Sequence, residues 1–320
     1  MRIRHLPFLV GLLLLLGQTG GAGAQTLDLR KQAQLVNSGT VGIVSGGVTG
    51  TYVRFASDLS TALDEGYEHR VMAVLGKGSV RNIEDLLLLK GIDIAIVQSD
   101  VLDFYKTSML IPDIERKIGY ITKLYNEEVH LLGRSDVTGV GDLQGRKVNF
   151  GSQGSGTFMT ASILFDSLGI QAEATTFPEQ VALEKLRTGE IDAMFFVGGK
   201  PLNLLTGIGA DEGLVLVPID GSKVEGAYLD ASLTDASYPN LIPAGGSVQT
   251  VAVGAVMAAY SWPKEHPRHA KVERFVGRFF EKIESLREAP FHPKWKEVDL
   301  RAQVPGWVRF DAAEAWLSNN

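Results

Sequence analysis

The sequence predicts an α/β fold of two lobes with similar topology, joined by a hinge. Three observations predict it: a strand–helix–strand–helix–strand pattern over residues 41–100, its recurrence over 147–199, and a length of 320 residues, enough for two domains. "VGIVSG" (41–46) is a short β-branched run closed by glycines, the pattern of a buried strand. From Thr51, apolar residues fall at Tyr52, Phe55, Ala56, Leu59 and Leu63, the stripe of an amphipathic helix, and Gly66 follows its end. "RVMAVLG" reads as a strand. Residues 79–90 read as a helix with Ile83, Leu86 and Leu87 on one face, and 92–100 as a third strand. Such a unit calls for parallel strands with crossover helices. In the second copy, "KVNFG" is a strand and a helix with Phe158, Ala161, Phe165 and Leu168 inward follows it. "AEATTF" is the next strand, Pro178 opens a helix where its missing N–H costs nothing, and residues 191–199 form the third strand. The segments "VRNIEDLLLLKGIDIAIVQSD" and "QVALEKLRTGEIDAMFFVGGK" follow one plan: helix, glycine, Ile-Asp, strand. Two separate sheets are expected, not one long one. The chain is expected to cross to the second lobe near 132–135 and to return near 249–253. The second lobe is then 133–249. The first is 25–132 plus roughly 250–320, with C-terminal helices over about 263–285 and 312–317.

The start of the chain carries an address. Arg2 and Arg4 precede the apolar run "LPFLVGLLLLL", and a small-residue stretch ends Ala22-Gly23-Ala24. That is the pattern of a cleaved secretory signal over residues 1–24, so a periplasmic protein beginning at Gln25 is expected. The run is shorter than the roughly 20 residues a membrane span needs. The sequence has no cysteine, hence no disulfide, zinc–thiolate site or lipid-bearing Cys. Its formal net charge of −6 argues against nucleic acid or an anionic membrane as the main partner.

Ligands of parallel α/β units collect at the carboxyl ends of strands, where helix N-termini present free N–H groups. Four glycine-rich segments fall at such ends: "SGGVTGTY" (45–52), "GKGSVRN" (76–82), "GSQGSGT" (151–157) and "VGGKP" (197–201). The third nearly spells a Walker A loop, but Thr157 stands in place of its lysine and Phe158 in place of its Mg²⁺-binding hydroxyl residue. Without those groups it is not a nucleotide site, although its backbone could still hold an anion. Other enzyme signatures are missing too. None of the six histidines sits in H-E-x-x-H or another close ligand pairing, and there is no G-x-S-x-G elbow. No cofactor, metal or catalytic residue is expected. The acids of "LDEG", "NEEV" and Asp211-Glu212 read as solvated surface groups. Arg81 stands in the first turn of a helix, against the macrodipole, and so answers either to a ligand or to Glu84 and Asp85. Lys77 and Lys200 carry the same ambiguity, and Tyr52 could stack on a ligand or pack in the core.

Taken in order, "SGGVTGTYV", "GSVRNIEDL", "IDIAIVQSD", "VGDLQGRKVNFGSQGSGT" and "GEIDAMFFVGGKP" resemble the TAXI-type solute receptors of TRAP transporters. The resemblance spans roughly residues 41–201 and is looser beyond. It implies a two-lobed periplasmic binding protein of type II topology, with two Rossmann-like lobes closing on a small anionic organic solute. A TRAP membrane permease would be the partner. The ligand-binding residues it implies, with the charge argument for Arg81 added, are Gly50, Thr51, Tyr52, Ser79, Arg81, Gln98 and Ser99 from lobe one. Lobe two supplies Gly154, Ser155, Gly156, Thr157, Gly198 and Gly199. The chain departs from the family pattern at Gly76-Lys77-Gly78-Ser79, at Arg81 and at Tyr52-Val53-Arg54. These changes place three cations near the lobe-one rim and suggest a carboxylate or acidic amino acid as solute. A same-fold receptor serving an ABC permease or a sensor kinase is the alternative, and a periplasmic hydrolase a more distant one. An enzyme of this topology such as hydroxymethylbilane synthase needs a cofactor-attaching cysteine, which is absent.

Overall fold

The structure is a computed structural model, and it describes residues 28–48, 50–66, 68–224 and 228–320; the predicted signal sequence lies outside these. The first half contains α1 (Leu29–Gly39), β1 (Thr40–Val44), α2 (Thr51–Leu63), β2 (Arg70–Val74), α3 (Ser79–Leu88), β3 (Ile94–Gln98), α4 (Val101–Ser108) and α5 (Ile114–Lys117). A long strand, β4 (Ile118–Arg134), leads into β5 (Lys147–Asn149), α6 (Gly156–Ser167), β6 (Glu173–Thr175), α7 (Glu179–Thr188) and β7 (Ala193–Gly198). Then come α8 (Asn203–Thr206), β8 (Leu214–Leu216) and β9 (Leu229–Thr234). A second long strand, β10 (Ser247–Tyr260), returns the chain to α9 (Pro267–Leu286) and α10 (Asp311–Asn319).

The strands run in the order β2-β1-β3-β10-β4-β7-β5-β6, with β8 on β4 and β9 on β10. β1 pairs in parallel with β2 and β3, and β5 in parallel with β6 and β7, which are the two predicted crossover units. The expectation of two separate sheets is corrected: the half-sheets are hydrogen-bonded into one through β4 and β10. The physical reason is the length of these strands. β10 pairs with β9 over Ala252 and earlier residues and with β3 from Ala255 on. β4 faces β10 up to Glu128 and β7 from Glu128 on. Each long strand thus belongs to both halves and changes partner at 126–128 or 252–255.

Each half buries both faces of its sheet. In the first, α2 lays Tyr52, Phe55, Ala56, Leu59 and Leu63 on the face that α9 also covers, as its apolar stripe predicts. Trp295, fully buried, stacks on Phe55 with ring centroids 4.1 Å apart, and its Nε1–H donates to Asp58 Oδ2 at 2.8 Å. This pair ties the segment after α9 against α2 and so fixes the neighbouring Lys294. In the second half, α6 is buried on more than the predicted stripe. Met159 joins the apolar cluster of the first half, while Ala161, Leu164 and Phe165 pack in the second. The helix lies between the halves, which is why its apolar residues surround it instead of forming one face.

Candidate functional site

Three helices begin at the junction of the halves. α2 follows Gly50 and α3 follows Gly78, both without a side-chain cap; α6 follows Ser155, whose Oγ accepts from Phe158 N–H at 3.1 Å. The first N–H groups of each helix have no intrahelical acceptor and carry the positive end of the helix dipole. They surround a cavity of about 70 Å³. Thr51, Tyr52, Ser79, Gln98 and Glu127 line it from the first half, and Ser155, Gly156, Thr157, Phe196 and Val197 from the second, with Lys77 and Glu179 also on its wall. An outer chamber of about 350 Å³ shares Gly50 and Thr51 with it and is bordered by Arg54, Asp58, Lys200, His292 and Lys294.

The halves touch directly around the inner cavity. Arg81 N–H donates to Gly154 O at 3.1 Å, and Thr160 and Tyr228 hydroxyls donate to Asp100 Oδ2 at 3.0 and 2.9 Å. Gly78, at φ +109°, brings its backbone against Ser155 and the N–H of Gly156. A Cβ on Gly156 would overlap Gln98 Oε1 and crowd Ser79 Oγ, so glycine is what permits this approach. Inside, Gln98 N–H donates to Ser79 Oγ at 2.9 Å, Ser79 Oγ lies 3.3 Å from Gln98 Oε1, and Val197 N–H donates to Thr157 Oγ1 at 3.2 Å.

The carboxyl chemistry was not foreseen. The expectation that the acids of "NEEV" are solvated is corrected: Glu127 is 3% exposed and Glu128 4%. Both sit where β4 changes partner between the two halves, so each is covered from both sides. Tyr52 OH donates to Glu127 Oε2 at 2.6 Å. Burial chiefly, opposed by this bond and reinforced by the nearby Asp100 and Glu128 carboxyls, raises the Glu127 pKa to about 8. Glu128 accepts the Lys200 backbone N–H at 2.9 Å and pairs with Lys294 Nζ at 3.2 Å and Lys200 Nζ at 3.5 Å. Lys294, also buried, reaches Glu297 at 2.8 Å. The Asp100 pKa rises to about 6, mainly through burial. The sequence signal for Glu127 and Glu128 is their place inside a long strand, between the apolar residues Leu124-Tyr125 and Val129.

Of the sequence-predicted residues, Gly50, Thr51, Tyr52, Ser79, Gln98, Ser155, Gly156 and Thr157 come together on the inner cavity. The others do not line it. Arg81 turns away, half-exposed, to Glu84 at 2.6 Å and Asp85 at 3.3 Å, so local acids answer its charge. Gly154 supplies only its carbonyl to Arg81, and Gly199 packs on Tyr125 and Lys294. Gly198 packs beneath Leu202 and Phe196. Ser99 Oγ accepts from Gly254 N–H at 3.3 Å on the returning strand. Lys77 reaches the wall of the cavity, whereas Lys200 Nζ is held by Ser232 O at 2.6 Å. Among the described residues no group of acids, histidines or cysteines is arranged to hold a metal, and no helix is long and apolar enough to cross a membrane.

Two α/β halves joined by two crossing strands, with a cavity between them, form the α/β fold of type II periplasmic binding proteins. The chain belongs to the NMT1-like family, which it matches over residues 43–301. Its fold is similar to that of the periplasmic binding protein BugD, with a TM-score of 0.51 at 12% identity over 88% of this chain and 93% of that one. A mutant of ArgBP from T. maritima is also similar, at TM-score 0.47 and 13% identity over 80% of this chain and 94% of that one.

Proposed function

We propose that the chain is a periplasmic solute receptor, not an enzyme, which captures a small carboxylate or acidic amino acid between its lobes and delivers it to a TRAP-type permease. The observation that carries this reading is the cavity between the halves on which the N-termini of α2, α3 and α6 converge. Helix N-termini favour anions, and the effect is strongest where water is excluded. The TRAP assignment rests on the resemblance of residues 41–201 to TAXI-type receptors, and the periplasmic one on the leader pattern of residues 1–24.

In the proposed cycle, the solute meets the α2 and α3 turns of lobe one (25–132 with roughly 250–320). Rotation about β4 and β10 then brings Ser155, Gly156 and Thr157 of lobe two (133–249) onto it. Charged hydrogen bonds contribute about 1.5–3 kcal/mol each, so three or four suffice for micromolar binding after ordering costs. A thermal-shift screen of carboxylates, neutral solutes and cations tests the reading. Stabilisation by carboxylate-bearing solutes is expected. Stabilisation only by solutes that carry no carboxylate overturns it.

A further inference from the structure

Glu127 lines the inner cavity with a chemistry that the helix N-termini do not need. Its Oε2 is occupied by the Tyr52 hydroxyl, while Oε1 has no hydrogen-bond partner among the described residues. Lys77 and Glu179 stand on the same cavity wall, but among the described residues no cation forms an ion pair with Glu127. Tyr52 of α2 and Tyr125 on its own strand are neutral phenols, while Asp100 and Glu128 are acids that repel its charge. Lys294, whose charge acts on it, is bound to Glu128, Glu297 and the carbonyl of Asn126. A nearly inaccessible carboxyl therefore faces a small cavity and lacks a positive partner of its own. The same cavity presents the unpaired N–H groups at the starts of α2 and α6.

A plain dicarboxylate would satisfy the helix ends and leave Glu127 facing a like charge. A solute with an ammonium beside its carboxylate would satisfy both. We propose that Glu127 determines specificity in this cavity by pairing with the ammonium group of a zwitterionic α-amino acid, whose carboxylate lies at the helix N-termini. The inference rests on the receptor reading above and narrows its solute class. The inner cavity, about 70 Å³, fits the zwitterionic head, and the side chain would extend past Gly50 and Thr51 toward Arg54 and Lys200 of the outer chamber.

Proton release gives this pairing a signature. With its pKa raised to about 8, Glu127 holds a proton at pH 7 in the empty cavity, and an arriving ammonium displaces it. Affinity then rises as pH goes from 7 to 8 and levels off above the Glu127 pKa.

The test is isothermal titration of the full mature protein with matched pairs that differ only in the amino group. L-glutamate with glutarate, L-aspartate with succinate, and L-leucine with 4-methylpentanoate cover acidic and apolar side chains. The expected result is at least tenfold tighter binding of one amino acid than of its partner, with proton release at pH 7 seen in buffers of different ionisation enthalpy. Glu127→Gln should reduce the preference to less than threefold. Glu127→Asp should keep the preference at weaker affinity and provides the check if Glu127→Gln fails to fold. Equal or tighter binding of the amino-free acid by the wild-type protein overturns the inference and leaves the carboxylate receptor standing. So does an undiminished preference in a folded Glu127→Gln protein. Binding of no member of either set overturns the receptor reading, and the inference with it.

Discussion

Val197 donates its backbone N–H to Thr157 Oγ1, which leaves the Thr157 hydroxyl hydrogen available to the cavity. The resemblance implies Thr157 as a ligand contact, and the structure gives it a structural hydrogen bond as well. Valine keeps the shape but removes an acceptor from a buried donor, which costs about 1–3 kcal/mol. Urea denaturation should show Thr157→Val destabilised in that range, with weaker solute binding as well; a fully retained midpoint would show that Val197 finds another acceptor. The buried ion pair behaves differently. Lys294→Met deprives Glu128 of a partner in a site where both are nearly inaccessible. Breaking such a pair typically costs about 3–5 kcal/mol. Lys200 remains beside Glu128, so a loss toward the lower end is expected in the same denaturation experiment.

At the scale of elements, local pattern and long-range contact were unequally legible. The α2 stripe from Tyr52 to Leu63 was readable because one face meets one sheet, and the strand over 94–98 because every residue of it is buried. The approach of α6 to α3 was not readable, since it depends on which residues meet across the junction. The glycines of "GSQGSGT" marked the loop but not that Gly156 sits against Gln98 and Ser79. Nor could "NEEV" reveal that β4 changes partner at these acids, because burial there comes from strands distant in sequence. Arg81 was ambiguous for a different reason, since a solute and its neighbours Glu84 and Asp85 could each answer its charge; in the structure it pairs with the two acids. Gly156→Ala exploits the contact. Alanine suits the first turn of α6, where φ is not in the left-handed region, so the second half should retain its fold. Its methyl group instead meets Gln98 from the first half. Solute affinity should fall at least tenfold, about 1.4 kcal/mol. Small-angle scattering with saturating solute should show a larger radius of gyration than for the wild type, and unchanged affinity and radius would show that Gln98 simply moves aside.

Over the whole molecule, the buried titratable groups pull stability in opposite directions with pH, and one window separates them. Glu127, with its pKa raised to about 8, binds its proton more tightly in the folded state than unfolded, so folded stability falls as pH rises from the normal carboxylate range toward 8. Asp100 adds the same slope only up to about pH 6. His130 lies between Phe196 O and Tyr238 OH; burial lowers its pKa to about 3, so the folded protein keeps it neutral. His69 and His292 are shifted down by burial too. These groups cost stability as pH falls below about 6.5, where an unfolded histidine gains its proton. Between about pH 7.5 and 8 the histidine and Asp100 contributions are largely spent, and Glu127 dominates. The stability of the solute-free protein should therefore decline across this window, by at most about 1.4 kcal/mol per pH unit and less as 8 is neared. Urea midpoints at several pH values would measure the decline. In Glu127→Gln the slope should disappear, because glutamine has no proton to lose. A slope that persists in that variant would move its source to another group, while a flat wild-type profile would mean that Glu127 is ionised throughout the window.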